Sequence, residues 1–467
     1  MGLAPNRPIL TIYKTYGMLL CYGKKLYNYG DYFFGGRFYG FLQMKKLAFF
    51  GICFAVAALF AEVPEFSGGW ASYYGKFDLA GQAVVPPDGK YGCVGGGNSS
   101  FSVTVSNRKE LLEALNKGSA RTIYVKGIID MTDTGNGSLI PSEVSGSTKE
   151  LDSLIENMTK KSVLPAKNYS EWKTKYTASF NYDENQSGAV KDLRDKLNGY
   201  WKELTVLRLE DNTTIEGVGA NCGIRGASLT IKGKSNIIIR NLNISDCYNP
   251  FPKIEAKDGL NADLDCISIQ NSKYIWIDHC TVYSSFSRDE IEKDKYVTKD
   301  GQKLKWQVYD GLCDITNTND FITVSWCVFK NHDKTMLIGN SDKKIEDKNH
   351  QTITLHHNIF DSCVQRLPMV RFATIHIYNN VYVNMLSRGI DRRQDCRIYS
   401  EGNWFEDKEK SITSNTFGSL YDSGSYNIKT AGLSKKAEWN PGDYYSYKAE
   451  SAEEAKNLVL KNAGAKN

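Results

Sequence analysis

The feature that most restricts how this chain can fold is a short unit that recurs between residues 205 and 405. TVLRLEDNTTIEGVGA, ASLTIKGKSNIIIRNLNIS, CISIQNSKYIWIDHCTVY, LCDITNTNDFITVSWCVF, HQTITLHHNIF, ATIHIYNNVY and CRIYSEGNWF each hold a β-branched or aromatic run, turn residues, and another such run. Aligned, they put Cys280, Cys327, Asn358, Asn380 and Asn403 in one column, at steps of 47, 31, 22 and 23 residues. The 47-residue step contains a charge-rich insertion, Ser284 to Gln307. A second column pairs Cys266 with Cys313. Short strands at such a period cannot bury a face alone and point to a solenoid. Its turns would stack about 4.8 Å apart, so side chains in one column lie over one another. Stacked asparagines satisfy their amides along the ladder and tolerate left-handed backbone. The stacked cysteines are expected to form a buried apolar ladder, although such pairs also fall within disulfide reach. A β-sandwich would put Asn-Gly or Asp-Gly turns between paired strands. Here Asp258-Gly259 and Asp310-Gly311 adjoin acidic motifs instead. The expected fold is all-β, a single-stranded parallel β-helix.

Other segments frame that solenoid. Met44, Lys45 and Lys46 precede an apolar run from Leu47 to Phe60, then Ala61 and Glu62, which is the pattern of a signal peptide over 44–61. The run is short for a membrane span, so no membrane partner is expected after cleavage. Residues 1–43 are read as an upstream extension outside the folded part, and 62–467 as one catalytic domain. Gly68 to Ser100 is rich in glycine, proline and aromatics, hence irregular. Phe101–Asn107 reads as a strand, Ser106 or Asn107 as a cap for a helix through RKELLEALNKG, and Arg121–Met131 as a strand. From about 132 to 202, Leu151–Lys161 and Gly188–Leu204 carry helical periodicity and many charges. They predict an inserted helical segment, polar and surface-lying. Ser451–Ala465 predicts a C-terminal capping helix over the last turn.

Bulk properties remove several function classes. A net charge of +5 over 467 residues, with no long basic run, does not suit a nucleic-acid binder. Of eleven cysteines, nine follow the leader, and none forms a CxxC pair, so a zinc site is not expected. Asp278-His279 and His356-His357 have no accompanying nucleophile motif and read as hydrogen-bonded structural pairs.

The chemistry concentrates between Asp263 and Phe372. Asp263 and Asp265 occur in DLD, Asp310 and Asp314 in DGLCD, Lys334 in HDKTMLIG, and Arg366 and Arg371 in RLPMVRF. Acidic residues first, then a lysine and two arginines five apart, are the make-up of a site holding a cation together with an acidic substrate. With Cys266 aligned on Cys313, Asp263 falls opposite Asp310, and residues two apart on a strand share a face. Such like charges repel unless a cation lies between them. Each aspartate alone is equally a solvated turn residue; the argument rests on the set.

These motifs, with WIDHC (Trp276 to Cys280), YGCVGGG (Tyr91 to Gly97), NTTIEGVG (Asn212 to Gly219) and HIYNN (His376 to Asn380), resemble the pectate lyases of polysaccharide lyase family 1. The likeness runs in order from about Gly68 to Phe405. It implies a right-handed parallel β-helix and a secreted, monomeric enzyme that cleaves polygalacturonate by Ca2+-dependent β-elimination. It implies Asp265, Asp310 and Asp314 as primary calcium ligands and Asp263 as a secondary one bridged by substrate. Lys334 and Arg371 become contacts to uronate carboxylates, and Arg366 the Brønsted base. The family often has Glu where Asp310 stands. Arg366 as a clamp, with water or hydroxide taking the proton, remains the alternative. A pectin lyase acting on methyl-esterified polymer, or a non-catalytic β-helical carbohydrate-binding protein, are the rival functions.

Overall fold

The computed structural model describes residues 68–87, 94–97, 101–144, 146–179, 187–255, 259–286, 295–415 and 417–466. The expected extension (1–43) and signal segment (44–61) lie outside the described residues. Within 62–467, itself one compact unit, the chain winds repeatedly through three parallel sheets of ten, eight and seven strands. It is the expected right-handed parallel β-helix. One coil illustrates the path: Ile267–Gln270 in the seven-strand sheet, Lys273–Asp278 in the ten-strand sheet, then Thr281–Tyr283 in the eight-strand sheet.

Alternation builds the core. In the ten-strand sheet Ile239, Ile277, Val324, Leu355 and Ile377 are register partners and fully buried. Each such side chain contributes about 1.5–3 kcal/mol of burial. Phe329, Phe360, Tyr382 and Phe405 stack along the eight-strand sheet with ring centroids 5.4, 5.0 and 4.4 Å apart. The predicted asparagine column is present. Asn358 Oδ1 accepts from Cys327 N (2.9 Å), Asn380 Oδ1 from Asn358 N (3.0 Å), and Asn403 Oδ1 from Asn380 N (2.9 Å). The column ends at Ser425, whose hydroxyl accepts from Asn403 N. All eight described cysteines are buried and unpaired, as the apolar-ladder reading expected.

Several expectations are corrected. The second column is displaced by one residue: Cys313 pairs with Ile267, not Cys266. Arg121–Met131 is two strands in two sheets, Arg121–Val125 and Ile128–Asp130, because the chain bends at Gly127 (φ 72). The helical insertion has a third helix, Tyr169–Ala178, besides Lys149–Thr159 and Ala189–Thr205. It is not merely polar and surface-lying. Trp172 and Trp201 are fully buried and join Phe251 and Trp306 in the main core, so the charges occupy only the outer faces. The loop Ser284–Gln307 includes a hairpin, Tyr296–Lys299 with Gln302–Lys305, that touches the middle helix.

The ends are covered differently than expected. The helix Arg108–Leu115, capped by Asn107, packs on the first strands. The C-terminal helix Ala452–Asn462 starts in a Ser451/Glu454 capping box but lies along the flank of the eight-strand sheet, with Val459 against Ile359 and Val381. The irregular segment from Gly68 crosses the ten-strand sheet, where Trp70 N and Ala71 N donate to Thr354 and Thr323. Among the described residues, no helix is long and apolar enough to cross a membrane.

Candidate active site

The charged residues gather where successive coils pass from the eight-strand to the seven-strand sheet. Asp265 immediately precedes Ile267–Gln270, and Asp310 and Gly311 precede Cys313–Thr316, which carries Asp314. Lys334 ends Val328–Lys334; Arg366 follows Ile359–Gln365, and Arg371 follows Met369–Val370. The inward positions Ile315, Ile338 and Val370 are buried and in register. Their neighbours Asp314 and Arg371 therefore project from the outer face.

Five of the seven predicted residues come together. Asp265 Oδ1 accepts from Gly311 N at 3.0 Å, and Asp314 Oδ1 from Leu337 N at 3.0 Å. Lys334 Nζ lies 3.0 Å from Asp310 Oδ1. Burial, then the charge of Asp310, raises the Asp265 carboxyl to about 7, against the opposing Gly311 N–H, Ser268 hydroxyl and Arg366 charge. Burial, then Asp265 and Asp310, likewise pushes Asp314 well up, and Arg366 opposes it. These carboxylates share one poorly hydrated space and need a positive charge to ionise together. Arg366, at φ 61, reaches back toward them; its Nε is buried without a hydrogen-bond partner.

Space for a cation exists between two of them. A Cβ on Gly311 would lie 2.5 Å from Asp314 Oδ1 and 2.8 Å from Asp265 Oδ1. The missing side chain lets these two carboxylate oxygens converge beside Gly311, and an ion ligated by both at about 2.3–2.6 Å would lie farther out than that Cβ position. The donor set, hard anionic oxygens, also fits calcium rather than a softer metal. The three carboxylates are not drawn in as a tight group. Among the described residues, the group whose ligand atoms all lie within 4.8 Å of one another is Asp78, Asp320 and His350. That cluster already has Lys273 Nζ at 3.2 Å from Asp78 and 3.9 Å from Asp320, so a protein cation already stands against both carboxylates.

Asp263 does not join the others, and this corrects its predicted placement opposite Asp310. The one-residue shift puts Leu264, not Asp263, opposite Asp310, and Asp265 beside Gly311. Residues 262–265 also lie outside any strand, so alternation does not bring Asp263 to the face of Asp265. Its carboxylate instead meets Lys202 Nζ (2.7 Å) and Asn249 Nδ2 (2.9 Å). Arg371 stands on the expected face but is held by Asp342, with Nε 2.6 Å from Oδ1, and Arg393 shares that carboxylate at 3.1 Å.

Two supporting groups escaped the sequence reading. His332 Nε2 is 2.6 Å from the Asp310 carbonyl, and its Nδ1 is 2.9 Å from Ser284 Oγ. A carbonyl only accepts, so Nε2 carries the proton and Ser284 donates to Nδ1; burial keeps this imidazole neutral. Buried Asp246 accepts from Ser285 N (2.8 Å), Tyr309 Oη (3.2 Å) and Arg225 Nε (3.1 Å), fixing the residue before Asp310. The signal for His332 was its place in HDKTMLIG; Asp246 had none. Asp278-His279 and His356-His357 are hydrogen-bonded pairs (2.8 and 2.9 Å) on the ten-strand-sheet side, as expected.

Comparison with known proteins identifies the family. A family profile described as pectate lyase matches residues 103–467. A pectate lyase of Bacillus subtilis (strain 168) is 33% identical over 423 residues, 83% of this chain and 94% of its own. Among solved structures, the thermostable pectate lyase PL 47 superposes with a TM-score of 0.66 at 27% identity, covering 86% of this chain and 98% of that one. A pectate lyase described for its substrate specificity and anti β-elimination mechanism gives 0.62 at 28% identity, covering 85% and 96%. With a profile match across most of its length and a relative this similar end to end, the chain belongs to the pectate lyase family and is a polysaccharide lyase.

Proposed function

We propose that this chain is a secreted, Ca2+-dependent pectate lyase, acting as a monomer on α-1,4-polygalacturonate and releasing 4,5-unsaturated oligogalacturonides. The observation that carries the reading is the convergence of Asp265 and Asp314 oxygens beside Gly311, near the unpartnered Arg366 Nε. The charged n-region and apolar run of residues 44–61 support export.

β-Elimination requires loss of the C5 proton of a galacturonate and departure of the sugar linked through O4. The proton is weakly acidic because the neighbouring C6 carboxylate is already negative. Asp265, Asp310 and Asp314 would hold the calcium ion, which when bound would supply a hard positive charge favouring the enediolate-like charge that develops there. Lys334 gives a point charge for a uronate carboxylate, and Arg371 a fork for two-point contact. Arg366 takes the C5 proton. The C–H electron pair becomes the C4–C5 double bond, the C4–O bond breaks, and the departing oxygen is protonated from water. A guanidinium is an unusual base, being ordinarily always charged.

The test is the ultraviolet absorbance of the unsaturated uronide during incubation with polygalacturonate, with calcium and with chelator. A calcium-dependent rise is expected. No rise with added calcium refutes the reading. Chelator-insensitive activity on methyl-esterified pectin would favour a pectin lyase, for which buried ionised carboxylates have no use.

A further inference from the structure

One face of the last insertion helix, Ala189–Thr205, is committed to the edge of this site. Arg194 Nε donates to Phe251 O (2.9 Å), Asn198 Oδ1 accepts from Asn249 Nδ2 (3.1 Å), and Trp201 Nε1 donates to Tyr248 O (2.7 Å). Residues 194, 198 and 201 follow helical spacing, and Lys202 extends the strip by one position. Its ammonium lies 2.7 Å from Asp263 Oδ2. The other oxygen of Asp263 accepts from Asn249 Nδ2. Asn249 is fully buried, and its Oδ1 accepts from Phe251 N, which fixes the amide with its N–H groups toward Asp263.

Asp263 is thus surrounded by donors. An N–H group presents positive charge where a metal would need an open lone pair, and an ammonium at 2.7 Å stands where a second cation would bind. Lys202 remains 38% exposed, so the pair opens to solvent. An ammonium has three N–H donors. Asp263 takes one, and among the described residues no other side chain engages the rest. A cation paired with Asp263, itself two residues from Asp265, open to solvent and held from below, suits the carboxylate of a uronate residue.

Resting on the proposed lyase reading, we propose that Lys202 takes the place of a second, substrate-bridging cation at Asp263 and binds a uronate carboxylate of the polymer directly. The insertion then acts in substrate recognition, and no second calcium ion binds at Asp263, with or without the polymer.

Calorimetric titration of the full chain tests this with two probes, calcium alone and trigalacturonate in calcium-free buffer. The intact chain should bind one calcium ion. Lys202→Met keeps the side chain's length, removes its charge and frees an Asp263 oxygen. It should reveal a second, weaker calcium and weaken trigalacturonate roughly tenfold, the loss of about 1.4 kcal/mol. Lys202→Arg should keep both properties of the intact chain. Adding Asp263→Asn to Lys202→Met should abolish the second calcium. Either calcium stoichiometry or trigalacturonate affinity left unchanged by Lys202→Met overturns the proposal. Melting curves establish that each variant is folded, which the exposure of Lys202 favours. Failure of the underlying lyase reading looks different: the intact chain would bind neither probe.

Discussion

Replacing Gly311 by alanine probes the calcium space with one methyl group. Gly311 N donates to Asp265 Oδ1, and Gly311 O accepts from Cys266 N at 3.0 Å; alanine retains both bonds. The backbone there is not in the left-handed region, so alanine adds no conformational strain. The new carbon would sit 2.5 Å from Asp314 Oδ1 and 2.8 Å from Asp265 Oδ1, well inside a contact distance of roughly 3.5 Å. One or both carboxylates must turn away from the positions in which they converge. Overpacking of this kind costs about 1–3 kcal/mol. Set against calcium affinity, that is roughly a 5- to 150-fold loss. In linkage terms, calcium at a hundred times Kd stabilises by about 2.7 kcal/mol, and a hundredfold weaker site leaves about 0.4 kcal/mol. Calorimetry gives the affinity, and melting with and without calcium gives the linked stability. Gly311→Ala should melt somewhat below the parent in chelator, by up to that overpacking cost, and lose most of the calcium-induced rise. Parental calcium affinity in the folded variant would refute the reasoning.

Three further outcomes follow from the same geometry. Arg366→Ala should lower turnover by about 10²–10⁴-fold, the usual weight of a proton-transfer group, while trigalacturonate affinity is retained; unchanged turnover removes Arg366 from the base role. In chelator, the Asp265 carboxyl, raised to about 7 by burial and then Asp310, holds its proton more tightly folded than unfolded, where it titrates near 3.9. The calcium-free protein should therefore lose stability as pH rises from about 4 to about 7, and calcium should remove that loss; a melting temperature independent of pH in this window, with and without calcium, contradicts it. Asn380→Ala strips a fully buried amide that accepts from Asn358 N and donates to Leu355 O (2.9 Å) and Asn403 Oδ1 (3.0 Å). At about 1–3 kcal/mol per orphaned group it should cost on the order of 3 kcal/mol or more, read by denaturant or thermal unfolding.

Legibility followed the range of the interactions. The asparagine ladder could be read because each amide binds its equivalent one coil away, so periodicity and contact are the same information. The Cys266–Cys313 column was misplaced because the 47-residue step conceals where the insertion enters, and a cysteine match is no measure of register. That one-residue slip carried Asp263 into the wrong company. The helix Tyr169–Ala178 was missed although Tyr169, Trp172 and Tyr176 recur at helical spacing; the intervening Ser170, Glu171, Lys173, Thr174 and Lys175 are all polar and carry no further apolar signal. Asp246 could not have been found, since its partners Arg225, Ser285 and Tyr309 come from three separate coils.

By itself, the chain's order of residues determined a parallel solenoid and the charges it carries: Asp265, Asp310 and Asp314, then Lys334, then Arg366 and Arg371. Period and side-chain alternation act locally and repeat, so they are written in one dimension. The partners of those charges were decided only in the tertiary structure. Asp263 is bound to Lys202, 61 residues away, and Arg371 to Asp342, 29 residues away. Asp265 meets Asp314 only across the gap that a missing Cβ leaves at Gly311. An ion pair or a metal-sized space depends on distance in three dimensions, and no spacing along the chain encodes it.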